Sequence, residues 1–238
     1  MSDNQQLLYC YIPKVACSNW KRVLLVLNGD AADPWKIKTA DVHNRTLGLF
    51  RYLNEYSPSE IVHRLNTYTK FLFVRHPFER LISAFRNKFI DSYNLTFFKD
   101  LYGRYIIKHY RENPDAKSLR TGEGVSFTEF VKFILSSPPE NADRHWRRYD
   151  FLCHPCLIYY DYIGKFENLV PESIAFLKLL EVDNKVQFPK NKTSNYSVST
   201  STLTKQYFQE LPPHIKTKLF AYYKDDFKMF GYSKYEYL

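Results

Sequence analysis

Long apolar runs are missing from this chain, and none approaches the roughly 20 residues that a helix needs to cross a bilayer. The opening residues Met1-Ser2-Asp3-Asn4-Gln5-Gln6 carry neither the basic stretch nor the apolar stretch of a signal peptide. The expectation is a protein soluble inside a cell, or one whose anchor was removed. Glycine is scarce, with 7 residues, proline numbers 12, and there is no low-complexity tract or internal period. That excludes collagen-like, solenoid and long disordered architectures. Four cysteines, Cys10, Cys17, Cys153 and Cys156, are too few for a disulfide scaffold and leave the redox compartment open. Sequons beginning at Asn44, Asn94, Asn191 and Asn195 suit a secretory protein.

What is present is enough for one sizeable core. Of 238 residues, 45% are hydrophobic and 18% aromatic, which predicts a single domain over residues 1–238. Lys and Arg number 34 against 25 acids, a formal charge of +9, so the long-range field favours anionic ligands. A phosphonucleotide, a sulfated glycan and a nucleic acid all qualify, and a merely basic surface is the plain alternative.

Leu7 to Ile12 is a short apolar and aromatic run stopped by Pro13, the pattern of a buried strand near the centre of a sheet. Asn19 to Leu27 reads as a helix ended by Asn28-Gly29. A helix over Ser59–Tyr68, a strand over Phe71–Val74 and a helix opened by Pro77 and running to about Phe89 follow. Ser126 and Glu129 form a capping-box signature for a helix through Leu135, and Ile158–Phe166 reads as a third strand. The C-terminal third is mainly helical, with Pro212-Pro213 separating two helices and Gly231 ending the last. Strands alternating with helices predict an α/β fold with a parallel sheet, whose ligands bind beyond the C-terminal strand ends, where Lys14 and Arg75 stand.

Between the first strand and the first helix, Pro13-Lys14-Val15-Ala16-Cys17-Ser18 has the form of a phosphate site. A helix N-terminus offers unpaired N–H groups and partial positive charge to an anion, and small residues let the backbone approach. The kinase-type pattern G-x-x-x-x-G-K-[ST] is absent, which disfavours a nucleoside triphosphatase. An ordinary strand-to-helix turn with a solvated lysine has the same spacing. Arg75 leaves the second apolar strand and Ser83 lies eight positions on, so one guanidinium and one hydroxyl are spaced to reach a single phosphate. Pairing of Arg75 with Glu79, and of Ser83 with a helix carbonyl, are the structural alternatives.

The segments YIPKVACSNWKRVL (Tyr11–Leu24) and KFLFVRHPFERLISAFRNKF (Lys70–Phe89) closely resemble the two donor-binding motifs of the Golgi carbohydrate sulfotransferases. The nearest group is that of the chondroitin and dermatan 4-O-sulfotransferases, the N-acetylgalactosamine 4-sulfotransferases and the HNK-1 sulfotransferase. The similarity extends through Cys153-His154-Pro155-Cys156, Ile163–Glu167 and Asp226–Tyr232. This resemblance implies a single α/β domain of the P-loop-kinase-like sulfotransferase fold, with a central, mainly parallel sheet flanked by helices. It implies sulfuryl transfer from 3′-phosphoadenosine 5′-phosphosulfate to a carbohydrate hydroxyl, with the 4-OH of N-acetylgalactosamine as the expected position and no metal required. By the same resemblance, Lys14 meets the 5′-phosphosulfate, with Val15, Ala16, Cys17, Ser18, Asn19 and Trp20 forming the rest of that loop, while Arg75 and Ser83 bind the 3′-phosphate. The implied partner is an anionic glycan rather than a nucleic acid, and the implied place is the Golgi lumen, with membrane attachment only through an anchor outside this sequence. A non-catalytic binder of heparin-like or nucleic-acid polyanions is the competing reading of the charge.

Several residues extend or depart from that pattern. Lys190-Asn191-Lys192-Thr193 is similar to Asn-Lys stretches that close over the nucleotide in related enzymes, which makes Lys192 a candidate donor ligand; a flexible basic loop is the alternative. His76 stands where family members often carry an acid, which changes the charge beside Arg75. Trp20 and the many tyrosines are commoner as core residues than as sugar platforms. Arg86 and Lys88 are placed to meet an acidic glycan or simply to form a solvated face. Cys153-His-Pro-Cys156 is a zinc half-site with no second pair, so a local disulfide or two reduced core thiols is expected.

For the base that takes the acceptor proton, a histidine suits. His154 and His214 sit at structural positions, His63 within a helix, and His109 and His145 have no placement relative to the donor motifs. His43 remains, in a short segment read as a strand end, Ala40–His43. In the 4-O-sulfotransferase group a histidine occupies the matching place, ahead of a stretch like Tyr52–Tyr56. A histidine bonded into an exposed loop is the plainer reading of the same residue.

Overall fold

The computed structural model describes residues 1–91, 95–190 and 198–237. They fall into two compact units, one built from Met1–Arg75 and Leu152–Asn195, the other from His76–Phe151 and Tyr196–Leu238. Among the described residues no helix is long and apolar enough to cross a membrane.

The first unit contains a three-stranded parallel sheet in the order β1 (Leu7–Tyr9), β2 (Thr69–Val74), β3 (Tyr162–Lys165). Leu7 pairs with Thr69, and Phe71 with Tyr162. The α/β class is as expected, but β1 lies at an edge and β2 is central, with Phe71, Leu72, Phe73 and Val74 all at or below 1% exposure. A continuous apolar run marks a strand covered on both faces, and the longer run of β2 has that coverage. β1 is also shorter than the apolar run predicts. Cys10 makes a last ladder bond to the Phe71 carbonyl at 3.1 Å, and the chain then turns away as Cys10 joins Cys153 in a disulfide with a Cα–Cα distance of 5.9 Å. β3 begins only at Tyr162, because Leu157 and Ile158 both donate backbone N–H groups to the His154 carbonyl and close a turn there. Gly164 faces Phe73 across the ladder, and a Cβ there would lie 2.2 Å from the Phe73 ring, so the strand needs glycine at that position.

Helix α1 (Cys17–Asn28) follows β1, and Gly29 ends it in the left-handed conformation at φ 86°, as its sequence signal predicts. Trp20 packs among Phe71, Phe73, Phe176 and Phe188 with ring centroids 5.0 to 5.8 Å away, fixing α1 over the sheet. Helix α2 (Thr39–His43) replaces the strand end expected for Ala40–His43. Helix α3 (Pro58–Thr67) opens with a capping box of Ser57 and Glu60.

The second unit opens with α4 (Pro77–Phe85), followed by a π-turn over Arg86–Ile90 where a single helix to Phe89 was expected. Its core gathers Phe78, Phe85, Phe130 and Trp146 with Phe208, Leu219, Tyr223 and Phe227. The helix Phe127–Leu135 carries the predicted Ser126–Glu129 capping box, and the helices Thr200–Gln209 and Pro213–Phe230 follow as foreseen, the second ending at Gly231 with φ 64° before a 3-10 turn over Lys234–Glu236.

Candidate functional site

The turn from β1 to α1 is built on alternating burial. Val15 and Cys17 are turned into the protein, at 0% and 9% exposure, while Lys14, Ala16 and Ser18 between them are half-buried. Lys14 has φ 71° and Ala16 φ 53°, left-handed conformations that cost a non-glycine residue of order 1 kcal/mol each. With Val15 anchored in the core, these two kinks bring the chain into α1, and the Ala16 carbonyl accepts from the N–H groups of Asn19 (3.0 Å) and Trp20 (3.2 Å). That leaves the N–H groups of Cys17 and Ser18, which come before any intrahelical acceptor, and with the helix dipole they suit an anion. Burial pushes the Cys17 thiol up from its ordinary pKa, against the pull of Lys21 and Lys14, which favours the thiol over the thiolate.

Arg75 leaves the C-terminal end of β2 at 4% exposure. Its guanidinium lies over the Phe166 ring, 4.1 Å from the centroid, and Nη1 reaches the Lys14 carbonyl at 3.5 Å. The first unit therefore holds two of the predicted cationic residues in one frame. His43 joins them, because its Nε2 is 2.8 Å from Ser18 Oγ.

Asn19 and Trp20, expected among the donor-binding residues, turn their side chains inward. Asn19 donates to the Pro189 carbonyl (3.0 Å) and accepts from Arg22 (3.0 Å), and Trp20 is 1% exposed. Both side chains thus brace the scaffold around the turn. Lys192 lies outside the described residues. In the second unit, Ser83 is the one residue of α4 that is not buried, so a helix otherwise committed to the core presents a hydroxyl.

His76 is 2% exposed and caps α4, accepting from the Phe78 N–H at Nδ1 (3.3 Å), with Nε2 3.3 Å from the Ser233 carbonyl. Glu79 accepts from the Tyr237 hydroxyl at 2.7 Å. His145 pairs with Asp143 at 2.6 Å, and burial pushes its pKa down. Arg86 forms an ion pair with Asp91 at 3.0 Å, and the Lys88 ammonium lies 4.4 Å from the Phe98 ring centroid.

The expected local disulfide or pair of reduced core thiols at Cys153 and Cys156 is corrected: Cys153 bonds to Cys10, 143 residues away, and Cys156 is an exposed thiol. Among the described residues no group of three or more His, Cys, Asp or Glu is arranged to hold a metal ion. Sequence reasoning missed Lys21 and Arg22, which with Ser18 form the face of α1 toward α2; their i, i+3, i+4 spacing was the available signal.

The Sulfotransferase family profile matches residues 1–233. Carbohydrate sulfotransferase 11 of Rattus norvegicus is 43% identical over 246 residues, which cover all of this chain and 68% of that protein. Carbohydrate sulfotransferase 8 of Mus musculus is 42% identical over 240 residues, 98% of this chain and 56% of that protein. Carbohydrate sulfotransferase 14 of Danio rerio is 40% identical over 234 residues, 98% of this chain and 61% of that protein. No solved structure gives a significant match.

Proposed function

The chain belongs to the sulfotransferase family, and from that membership we propose that it transfers a sulfuryl group from 3′-phosphoadenosine 5′-phosphosulfate to a carbohydrate hydroxyl. The proposed acceptor is the 4-OH of N-acetylgalactosamine in chondroitin, dermatan or a related anionic glycan. The relatives named above, each a carbohydrate sulfotransferase, support the substrate class. Both units are taken as parts of one catalytic domain, since the family match runs across them.

The observation that carries the reading is the joining of Lys14 and Arg75 at the ends of two neighbouring parallel strands, beside the start of α1. A donor with two phosphate ends needs positive charge and N–H donors at such a place, and the site supplies both. Lys14 and the backbone from Val15 to Ser18 are assigned to the 5′-phosphosulfate, and Arg75 with Ser83 to the 3′-phosphate. As transfer proceeds, negative charge grows on the oxygen bridging sulfur and phosphorus. A lysine ammonium aimed there stabilises the transition state more than the ground state and supplies the charge that a metal would otherwise bring. His43 takes the proton of the attacking hydroxyl. The Cys10–Cys153 disulfide supports an oxidising compartment, and the Golgi lumen is the compartment assigned.

The test supplies labelled donor to an array of desulfated chondroitin, dermatan, HNK-1-type and N-glycan acceptors and locates the new sulfate by disaccharide analysis. The expected product carries sulfate on the 4-position of N-acetylgalactosamine, with transfer unaffected by a chelator. Salt-sensitive glycan binding without any transfer would instead identify a polyanion-binding protein.

A further inference from the structure

Helix α1 does more than present its N-terminus to an anion. Its side chains at positions 18, 21 and 22, one face of the helix, hold the segment that carries His43. The buried Lys21 donates from Nζ to the Val42 carbonyl at 3.2 Å and lies over the Tyr11 ring, 4.4 Å from its centroid. Arg22 donates from Nε to the Ile37 carbonyl (2.8 Å) and from Nη2 to Thr39 Oγ1 (2.6 Å). A helix of five residues is too short to be stable alone. Its position is therefore set by these bonds and by the burial of Val42, at 2% exposure. The contact of Ser18 Oγ with His43 Nε2 at 2.8 Å is the end of this row.

A serine hydroxyl has one proton to donate and two lone pairs to accept with, and a neutral imidazole has one nitrogen of each kind. The Ser18–His43 bond therefore exists in two forms. In one, Ser18 donates to Nε2 and the imidazole proton sits on Nδ1. In the other, Nε2–H donates to Ser18, and the serine proton is available to a further acceptor. A phosphate at the start of α1 offers only acceptor oxygens and takes the serine proton, which leaves only the second form.

We infer that Ser18 is a positioning residue that couples occupancy of the nucleotide phosphate site to the tautomer of His43, so that a bound nucleotide places the imidazole proton on Nε2 and makes Nδ1 the basic atom. The inference rests on the functional reading above. In the step it prepares, the acceptor O–H bond breaks, its electron pair forms the new O–S bond, and the proton goes to His43 Nδ1. The bond from sulfur to the bridging oxygen breaks, and its electron pair leaves on the 5′-phosphate of the nucleotide. The imidazolium so formed keeps its Nε2–H directed at Ser18. The base is thus set only when the donor site is filled, which disfavours proton abstraction without a sulfuryl group to receive the oxygen.

The probe is 3′-phosphoadenosine 5′-phosphate, titrated into full-chain protein with ¹⁵N-labelled histidine at a pH where His43 is neutral. Saturation is expected to move the His43 Nε2 resonance to the protonated range and Nδ1 to the unprotonated range. Ser18→Ala should abolish that response and lower turnover by about tenfold or more, with a changed pH profile, because a misassigned base proton weakens general-base catalysis. Ser18→Thr should restore both. Nucleotide affinity measured on each variant verifies that the site is still folded. An unchanged tautomer on nucleotide binding, or a response that survives in Ser18→Ala, would overturn the coupling. A His43→Ala protein with parent turnover would overturn the base assignment, and the transfer assay reads that outcome separately from the spectra.

Discussion

The guanidinium of Arg75 reaches the backbone carbonyl of Lys14 in a long hydrogen bond of 3.5 Å, across 61 residues of sequence. The bond ties the end of β2 to the turn that follows β1, so the two cations assigned to opposite ends of the donor share one frame. The Arg75 bond is to the Lys14 backbone, which an alanine at position 14 retains, so the two residues can be tested separately.

Lys14→Ala should lose sulfuryl transfer by about a hundredfold or more and keep much of its affinity for the desulfated nucleotide, as expected of a group acting on developing charge. Single-turnover kinetics beside calorimetric titration measures both. An alanine variant of near-parent activity would remove Lys14 from the mechanism.

Arg75→Ala and Ser83→Ala should weaken the donor chiefly through its 3′-phosphate, Arg75 more strongly, since a charge-assisted contact exceeds one hydroxyl bond. The measurement is the ratio of parent donor to a donor lacking the 3′-phosphate. A variant that still discriminates as sharply as the parent shows that its residue does not bind that group.

His43→Ala should abolish turnover with donor affinity nearly intact, tested from pH 5.5 to 8. Retained turnover would transfer the role to Glu79 or His145. The Glu79 carboxylate and the His145 imidazole already bond Tyr237 and Asp143, so each would have to change partner first.

The Cys10–Cys153 disulfide closes a loop of 143 residues and joins the end of β1 to Cys153 within the first unit. Replacing both cysteines with serine should cost roughly 2–5 kcal/mol of stability. Thermal unfolding with and without reductant checks this, and peptide mapping should recover a Cys10–Cys153 crosslink and no Cys153–Cys156 crosslink.

Asp226 is fully buried in the second unit, accepting from the Tyr149 N–H at 2.9 Å through one oxygen. Its other oxygen has no hydrogen-bond partner among the described residues. Burial pushes its pKa up to about 7, against the pull of Arg80 and Arg148. A carboxyl whose folded pKa exceeds its unfolded value binds its proton more tightly when folded. Its stabilising contribution is therefore full below about pH 4 and is lost as pH rises to about 7. Asp226→Asn, which keeps an acceptor for Tyr149, should stabilise the protein at pH 8 by up to about 4 kcal/mol and flatten the slope of melting temperature between pH 5 and 8. Parallel slopes for parent and variant would contradict the buried, protonated state.

Much of the fold was legible because its signals are local. The apolar run of β2, the Asn28-Gly29 stop of α1, the Ser126–Glu129 capping box and the Pro213 and Gly231 limits of the last helix each act within a few residues of themselves. The Lys14 turn was legible for the same reason, since a strand, a tight turn of small residues and a helix N-terminus are contiguous in sequence. Other features depend on surroundings that sequence spacing does not reveal. Cys10 chose Cys153 over Cys156 because the fold brings the Cα atoms of Cys10 and Cys153 to 5.9 Å. Thr39–His43 became a helix because Lys21 and Arg22 bond residues 37 to 42. Trp20 and Asn19 brace the scaffold because Phe188 and Pro189 arrive beside them from 168 and 170 positions away. Alone, the sequence determined where the chain turns and which residues could meet an anion. Tertiary structure decided which of those residues stand together, because burial and hydrogen bonding across more than a hundred residues exist only once the chain has closed on itself.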